Sequence, residues 1–410
     1  MKNKFLMEMR SRGYLNQCTD LDKLEEICNK QSISAYIGFD CTASSLHVGS
    51  LLQIMILKLM QKHGHQPIIL LGGGTTLIGD PSGKDTTRKI LEKKEIKRNI
   101  VSIKKIFKKI LNTSNKKTKP IFVDNATWLT ELKYIKFLRE IGIHFTINKM
   151  LTFDSVKLRL EREQSLSYME FNYMILQAYD FLELNKTENC SLQIGGSDQW
   201  GNIVNGVDLI KKYSSNQVYG LTTPLITLAS GAKMGKTESG AIWLDEKLLT
   251  PYNYWQFWRN VDDKDVLKFF KLFTDLNIQE IDKVGKEEIN KQKIILANET
   301  TTMLHGKTEA IKSEETARKT FSEKSIGSAL PSIKLSKNKL DGNLSIIDLI
   351  ILSDFEKSKS EIRRLIKNNG IKINNIKIEE DLAVSKIQTE NKKFFKLSIG
   401  KKKHFKIEIN

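Results

Sequence analysis

The stretch Tyr36–Ser50, YIGFDCTASSLHVGS, decides the fold. An apolar run, Ala35–Phe39, leads into Asp40 and a turn of small residues, Cys41–Ser45. Leu46-His47-Val48-Gly49-Ser50 then opens a long apolar-periodic segment, Leu51–Met60. That order predicts strand, turn, helix. In an open α/β sheet such a turn sits at the carboxyl edge of the strands, where ligands bind. The helix start offers unpaired N–H groups and a positive dipole end to an anion. Gly49 admits close approach to the first helical turn, and His47 adds a donor at the same place. Taken alone, LHVG is equally at home in an ordinary βα turn.

A second stretch changes that balance. Ser230–Thr237, SGAKMGKT, sets two lysines three apart in a Gly-flanked loop. It is not a phosphate-binding P-loop, because G-x-x-x-x-G-K would need Gly where Ser230 stands. Gly79–Lys84, GDPSGK, also misses that spacing and runs on into Asp85. An HVGS turn followed about 185 residues later by KMGKT resembles the paired nucleotide-binding motifs of class I aminoacyl-tRNA synthetases. With the residues between them, the chain resembles the bacterial-type tyrosyl-tRNA synthetases, which end in an S4-like domain. The resemblance runs through essentially all 410 residues.

Composition is that of a soluble protein. A chain of 410 residues has room for two or three domains with ample core. No apolar run approaches the ~20 residues of a membrane span. The start, MKNKFLMEMRSRGYL, lacks a signal-peptide core before charges return and reads as an amphipathic helix. Four cysteines (Cys18, Cys28, Cys41, Cys190) show no metal or redox spacing, so reduced thiols in a cytoplasmic protein are expected. The formal charge of +18 points to a polyanion, most often nucleic acid. A Lys-, Asn- and Ile-rich composition contributes to it as well. The charge is uneven: residues 84–119 hold 14 Lys+Arg against 3 Asp+Glu, and residues 331–410 hold 18 against 10.

Along the chain, residues 20–30 read as a helix. Further strands are expected at 68–71, 121–123 and 191–194, and helices at 95–111, 130–141, 167–184 and 201–213. In Glu95–Leu111 the lysines fall opposite an apolar stripe, as on a solvated face. Residues 148–165 read as polar and turn-rich. Within SYMEFNYMILQAYDFLEL, Tyr173, Gln177 and Asp180 share one helix face. A buried-facing Gln and Asp need partners, and a hydrogen-bonding ligand is one candidate. The fold class expected is α/β: a Rossmann-like parallel-sheet catalytic domain over 1–250, with an inserted segment at about 85–190. Thr250-Pro251 starts a helical domain over 251–325. Residues 326–343 read as a linker, and 344–410 as a small α+β S4-like RNA-binding domain.

The resemblance implies a tyrosine–tRNA ligase reaction. L-tyrosine attacks ATP in line, giving tyrosyl-adenylate and pyrophosphate, and tyrosine then passes to the 3′-terminal ribose of tRNA(Tyr). Such a step asks for positioning and positive charge more than for acid–base chemistry. By resemblance Thr42, His47, Lys84, Arg88, Lys233 and Lys236 serve the phosphates. The family usually has a second histidine where this chain has Ser50, which can still donate and accept. Tyr36 and Asp180 match the pair that binds the phenol, and Asp80, Tyr173 and Gln177 those around the α-ammonium, with Gln199 beside them. Gly38, Asp40, Gly49, Ser50, Gly196, Asp198, Met234 and Thr237 match the ATP and adenylate shell. Trp200, Lys211, Lys212, Arg363 and Arg364 match tRNA contacts. Mg²⁺ comes with ATP, held mainly by phosphates and water. No tightly bound cofactor, no protein metal cage and no membrane are expected, and the family is homodimeric.

Two rivals remain at this stage. Tryptophanyl-tRNA synthetases share the paired motifs; the Tyr36/Asp180 pair and the S4-like end argue against that. An RNA-binding protein that kept the fold without catalysis would not need His47, Asp80, Asp180, Lys233 and Lys236 together.

Overall fold

The computed structural model describes residues 2–80, 91–231, 234–237, 240–321, 327, 329–336, 344–353, 358–386, 393–400 and 403–409. The chain divides into two compact units, Met1–Leu249 with Phe257–Leu304 and Thr250–Gln256 with His305–Asn410. Among the described residues no helix is long and apolar enough to cross a membrane.

The first unit is built on a six-stranded sheet. Its strands are β1 (Gln17–Cys18), β2 (Ser34–Phe39), β3 (Gln66–Leu71), β4 (Ile121–Asp124), β5 (Cys190–Gly196) and β6 (Tyr219–Thr223). Their order is β1-β6-β5-β2-β3-β4. β2 pairs in parallel with β3 and β5, β3 with β4, and β5 with β6, while β1 runs antiparallel to β6. From β2 the chain winds outward through β3 and β4, then returns to the far side of β2 for β5 and β6. Strand order therefore reverses between β2 and β5, and a crevice opens there at the carboxyl ends. Farther on, β7 (Lys236–Thr237) pairs with β8 (Gly240–Ala241).

The helices form for local reasons and are held by packing. Leu51–Lys62 is apolar on most sides because it lies between β3 and the helix Val266–Phe273. Lys93–Ile110 is two-faced as expected, burying Ile96, Ile100, Ile103, Phe107 and Ile110 while Lys97, Lys105, Lys108 and Lys109 stay exposed. Phe107 meets Phe39 edge-on at 4.8 Å between centroids and Phe122 at 6.0 Å, tying this helix to β2 and β4. Tyr168–Glu188 starts in a capping box formed by Ser167 and Glu170 and stops at Asn189, which is left-handed at φ 50°. The first helix, Lys4–Ser11, is capped by Asn3 and buries Phe5, Leu6 and Met9. The residues after it clamp a distant helix end. The buried Arg12 guanidinium donates to the carbonyls of Lys271 (3.0 Å), Thr274 (3.1 Å) and Leu276 (2.9 Å), and the Tyr14 hydroxyl to that of Leu272 (2.8 Å).

Some segments differ from their reading in the sequence. Residues 148–165 contain two short helices, Ile147–Met150 and Asp154–Glu161, whose Met150 and Val156 enter the core. Each is too short to show a 3.6-residue period. The helix expected over 130–141 begins only at Tyr134.

In the second unit Thr250 Oγ1 accepts the Asn253 N–H at the helix start before Pro251, as the Thr-Pro pair implies. A five-stranded sheet contains β9 (Ser332–Leu335), β10 (Ile371–Ile373), β11 (Ile376–Lys377), β12 (Phe394–Ile399) and β13 (Lys403–Ile409), in the order β11-β10-β12-β13-β9. β9 comes from the stretch read as a linker and pairs in parallel with β13. Four residues of Ser-Ile-Lys-Leu are too few to declare a strand before their partner is known. Ser358 caps the helix Lys359–Lys367, and the expected glycine turn follows, with the Gly370 N–H donating to the Leu365 carbonyl at 2.7 Å.

Because Phe107 joins one helix to two strands, Phe107→Ala should cost about 3–5 kcal/mol of stability. A matching fall in the thermal unfolding midpoint of the first unit, followed by circular dichroism, checks this. An unchanged midpoint would show that the helix is held elsewhere.

Candidate active site

The crevice at the strand reversal is a cavity of about 470 Å³. Every element around it was placed by the sheet. β2 and the turn after it supply Tyr36, Gly38, Asp40 and Thr42, and the next turn supplies His47, Gly49 and Ser50. The helix Tyr168–Glu188 presents Tyr173, Gln177 and Asp180, so the i, i+4, i+7 spacing did mark one face. The end of β5 adds Gly196, Asp198 and Gln199, and Asp80 and Met234 complete the lining among the sequence-predicted residues.

At one end of the cavity lies a sealed carboxylate. Asp180 is 1% exposed and accepts two hydrogen bonds, from Asn125 Nδ2 at 2.9 Å and Trp128 Nε1 at 2.7 Å. Burial raises its pKa to about 7, and these two donors hold the rise down. Tyr36 is equally buried, and its hydroxyl has no hydrogen-bond partner among the described residues. Burial first, and then the Asp180 carboxylate, push that hydroxyl well above the ordinary tyrosine range. A buried hydroxyl without a partner costs free energy until something supplies one. The supports were not marked by the sequence reading. Asn125 Oδ1 takes the Gly74 N–H at 2.8 Å, while its Nδ2 also donates to Thr75 Oγ1 at 3.0 Å. Asp124 accepts the Ala126 N–H at 3.0 Å and so starts the short helix Ala126–Leu129 that carries Trp128. Gly73 permits this packing, since a Cβ there would lie 2.1 Å from Asp124 Oδ1.

Midway along the cavity runs an amide–carboxylate chain. Gln199 Nε2 donates to Asp80 Oδ2 at 3.0 Å, and Asn202 Nδ2 donates to both Gln199 Oε1 and Gln177 Oε1 at 3.1 Å. Acceptor oxygens are thereby fixed along one wall, beside a carboxylate, which suits a cationic amine.

The two motifs that lie far apart in sequence meet at the other end. His47 Nδ1 accepts the Gly49 N–H at 3.0 Å, so the neutral ring carries its proton on Nε2. A Cβ on Gly49 would sit 2.7 Å from the His47 ring and 2.9 Å from the Met234 carbonyl. Gly235 is left-handed at φ 96°, and a Cβ there would fall 2.6 Å from His47 Nδ1 and 2.8 Å from the Gly49 nitrogen. Neither position admits a side chain. The segment after β8 closes the join: the Val48 N–H donates to Ile242 O at 2.8 Å and the Leu244 N–H to Leu46 O at 2.9 Å. Ser50 begins the Leu51–Lys62 helix without capping it through its side chain.

Other predicted residues lie elsewhere. Lys84, Arg88 and Lys233 are outside the described residues. Lys236 and Thr237 are placed by their main chain in β7. Trp200, Lys211 and Lys212 do not line the cavity; the lysines are exposed near the end of the Trp200–Ser214 helix, with Lys212 donating to the His144 carbonyl at 2.7 Å. Arg363 and Arg364 are exposed on the Lys359–Lys367 helix of the second unit. Gln53, Gln193 and Trp243 line the cavity although the sequence reading passed over them.

Comparison with known proteins gives a consistent result. Residues 28–322 match the family model of class I tRNA synthetases (W and Y), and residues 322–407 that of the tyrosine–tRNA ligase SYY-like C-terminal domain. The tyrosine–tRNA ligase of Pelagibacter ubique is 66% identical over 407 residues, covering 99% of this chain and 100% of its own length. That of Rickettsia bellii is 51% identical over 409 residues, with the same coverage. Among solved structures, a C-terminally truncated mitochondrial tyrosyl-tRNA synthetase from Aspergillus nidulans superposes with a TM-score of 0.70 at 30% identity. It covers 78% of this chain and 95% of its own. With a parallel sheet that reverses at the cavity and two family models that together span nearly the whole sequence, the chain belongs to the class I tRNA synthetases of the tryptophan and tyrosine type.

Proposed function

We propose that the chain is a tyrosine–tRNA ligase, activating L-tyrosine with MgATP and then charging the 3′-terminal ribose of tRNA(Tyr). The observation that carries the choice of amino acid is the Tyr36 hydroxyl, unpartnered among the described residues, in the same cavity as the Asp180 carboxylate. A phenol O–H donates to Asp180 and accepts from Tyr36, so it satisfies both. An indole N–H only donates and would leave Tyr36 without a partner.

The remaining roles follow the cavity toward the helix start. Asp80, Tyr173, Gln177 and Gln199 hold the α-ammonium, leaving the carboxylate free to attack the α-phosphate. Gly196 and Asp198 receive the nucleoside, and Gly38, Asp40, Ser50, Met234 and Thr237 line its remaining shell. Thr42 and the His47 Nε2–H donate to phosphate oxygens beside Gly49. Lys84, Arg88, Lys233 and Lys236, argued from the sequence, supply positive charge to the departing pyrophosphate. Magnesium enters as part of the nucleotide substrate. Lys211, Lys212 and Trp200 contact the acceptor end, and the basic final segment with Arg363 and Arg364 contacts more distant parts of the tRNA. Residues 1–250 carry catalysis, and 251–325 with 344–410 serve tRNA binding. The cytoplasm is the place of work, in keeping with four free cysteines.

The active form is a homodimer. Among the described residues, ten of nineteen exposed large apolar side chains fall within residues 134–169, including Ile135 at 68% and Ile143 at 73%. Such a concentration marks an interaction surface.

Pyrophosphate exchange into ATP, assayed across the twenty amino acids, should require tyrosine. Asp180→Ala should lower kcat/KM for tyrosine about 10- to 100-fold, the ~1.5–3 kcal/mol of a hydrogen bond to a charged group. Exchange with tryptophan instead would overturn the reading.

Acidity should act through Asp180. Phenol binding needs the carboxylate, so below pH about 7 a bound proton must leave first. The KM for tyrosine should rise as pH falls through 7, by up to about tenfold per pH unit. It should lose that dependence in Asp180→Asn. Because the folded-state pKa is raised, this group's contribution to stability in the empty protein falls as pH rises from 3.8 to about 7; added tyrosine should offset that loss in thermal melts.

For the dimer, Ile135→Glu combined with Ile143→Glu should give a monomer by sedimentation equilibrium where the wild type sediments as twice its mass. Equal masses would place the interface elsewhere.

A further inference from the structure

Among the described residues, the main chain that leads into the KMGKT motif lies in no named strand. After β6 ends at Thr223, residues 224–231 fall in no named strand, and Leu225 and Ile226 line the cavity. Two side chains from beyond the motif take hold of it. Asp265 Oδ2 accepts the Ala229 N–H at 2.7 Å, and Lys268 Nζ donates to the Thr227 carbonyl at 2.8 Å. The two are themselves 3.8 Å apart, from Lys268 Nζ to Asp265 Oδ1. Asp265 is 4% exposed, so its carboxylate depends on these two partners. One further main-chain bond carries the constraint onward: the Met234 N–H donates to the Ile226 carbonyl at 3.0 Å. Met234 and Gly235 are the residues that press against Gly49 and His47.

The grip has a firm base. Asp265 and Lys268 sit at the start of the Val266–Phe273 helix. The far end of that helix is the one clamped by Arg12 and Tyr14. It packs on the Leu51–Lys62 helix, which follows directly from the HVGS turn. One short helix therefore rests against the HVGS helix while holding the approach to the KMGKT motif.

We infer that Asp265 and Lys268 are positioning residues for the nucleotide step: by fixing residues 227–229 they set Met234 and Gly235 against the His47–Gly49 turn where the phosphates react. This inference rests on the ligase reading and goes beyond it, because neither side chain touches the cavity. It separates the two substrates. The tyrosine end, built from Tyr36, Asp180 and the Asn125–Trp128 supports, shares no hydrogen bond with Asp265 or Lys268 among those described. Loss of the grip should harm ATP use and spare tyrosine binding.

The test uses the full-length chain as Asp265→Ala, Lys268→Met and Lys268→Arg beside the wild type. Tyrosine-dependent pyrophosphate exchange is measured against ATP, and tyrosine affinity by equilibrium dialysis without ATP. Asp265→Ala and Lys268→Met should each lose about 10- to 100-fold in kcat/KM for ATP, the scale of a displaced reacting group. Tyrosine affinity should stay within about twofold, and Lys268→Arg should recover most of the activity, since a cation can still reach the carbonyl. If Asp265→Ala does not fold, the Met and Arg variants of Lys268 decide alone, because that side chain is half-exposed. Unchanged ATP parameters in folded variants, or tyrosine affinity falling in step with ATP use, would overturn the inference. A wild type with no exchange activity would overturn the ligase reading, and this inference with it.

Discussion

A carboxylate sealed from water is the constraint on which the rest of this structure depends. An ionised Asp180 at 1% exposure would be costly unless donors surrounded it. The fold supplies two, both from the segment that leaves β4. Asn125 follows β4 and is held by the Gly72–Gly74 turn after β3, while Trp128 rides on a one-turn helix begun by Asp124. Tyr36 comes from the central strand and packs its ring on Phe181, one residue along the helix from Asp180, at 5.3 Å. Moving any of these strands by one residue would turn its side chain to the opposite face. The site therefore fixes the register of the sheet as much as the sheet positions the site.

The second dependence is steric and involves no side-chain chemistry. Gly49 and Gly235 face each other across a gap that no Cβ could occupy. About 185 residues separate the motifs, yet β2 and β6 flank the same neighbour, β5, so their carboxyl ends lie on one edge of the sheet. The Leu46–Val48 and Ile242–Leu244 main chains then close the join with two hydrogen bonds. On the reading proposed above, a substrate lying between Asp180 and His47 spans the crevice from the closed end to the helix start. Its neutral, aromatic end meets the buried pocket, and its anionic end meets N–H donors.

How much of this the sequence revealed follows from the range of each interaction. The strand–turn–helix at Tyr36–Ser50, the two-faced lysine helix and the Tyr173/Gln177/Asp180 face are local patterns, and each appears where its period put it. Gly49 was recognisable because the turn before a helix calls for it, whereas Gly235 stood in the second motif without a role until its partner was in place. Asn125 and Trp128 were not, since an Asn and a Trp after a strand look like any turn until Asp180 lies beside them. β1 and β9, of two and four residues, gain their identity from a partner far along the chain. The short helices between 147 and 161 escaped for the same reason, because their apolar residues declare a face only against the core they join. Asp265 and Lys268 read as ordinary charges at a helix start.

Ser50 shows how the two kinds of information combine. Serine is among the preferred helix N-caps, and a capping hydroxyl would be spent on its own helix. Here the side chain makes no cap bond, although Ser50 stands at the cap position and lines the cavity. His47, three residues earlier, directs Nδ1 to the Gly49 N–H, which leaves the ring proton on Nε2. A ring N–H and a hydroxyl thus stand at the start of one helix. Where the related motif sets two histidines, this chain keeps the donor count with a shorter second arm. Gln53, one turn along the same helix, lines the cavity too, and its buried Oε1 has no partner among the described residues. The shorter reach of Ser50 is therefore accompanied by an additional polar side chain, Gln53, that lines the same cavity.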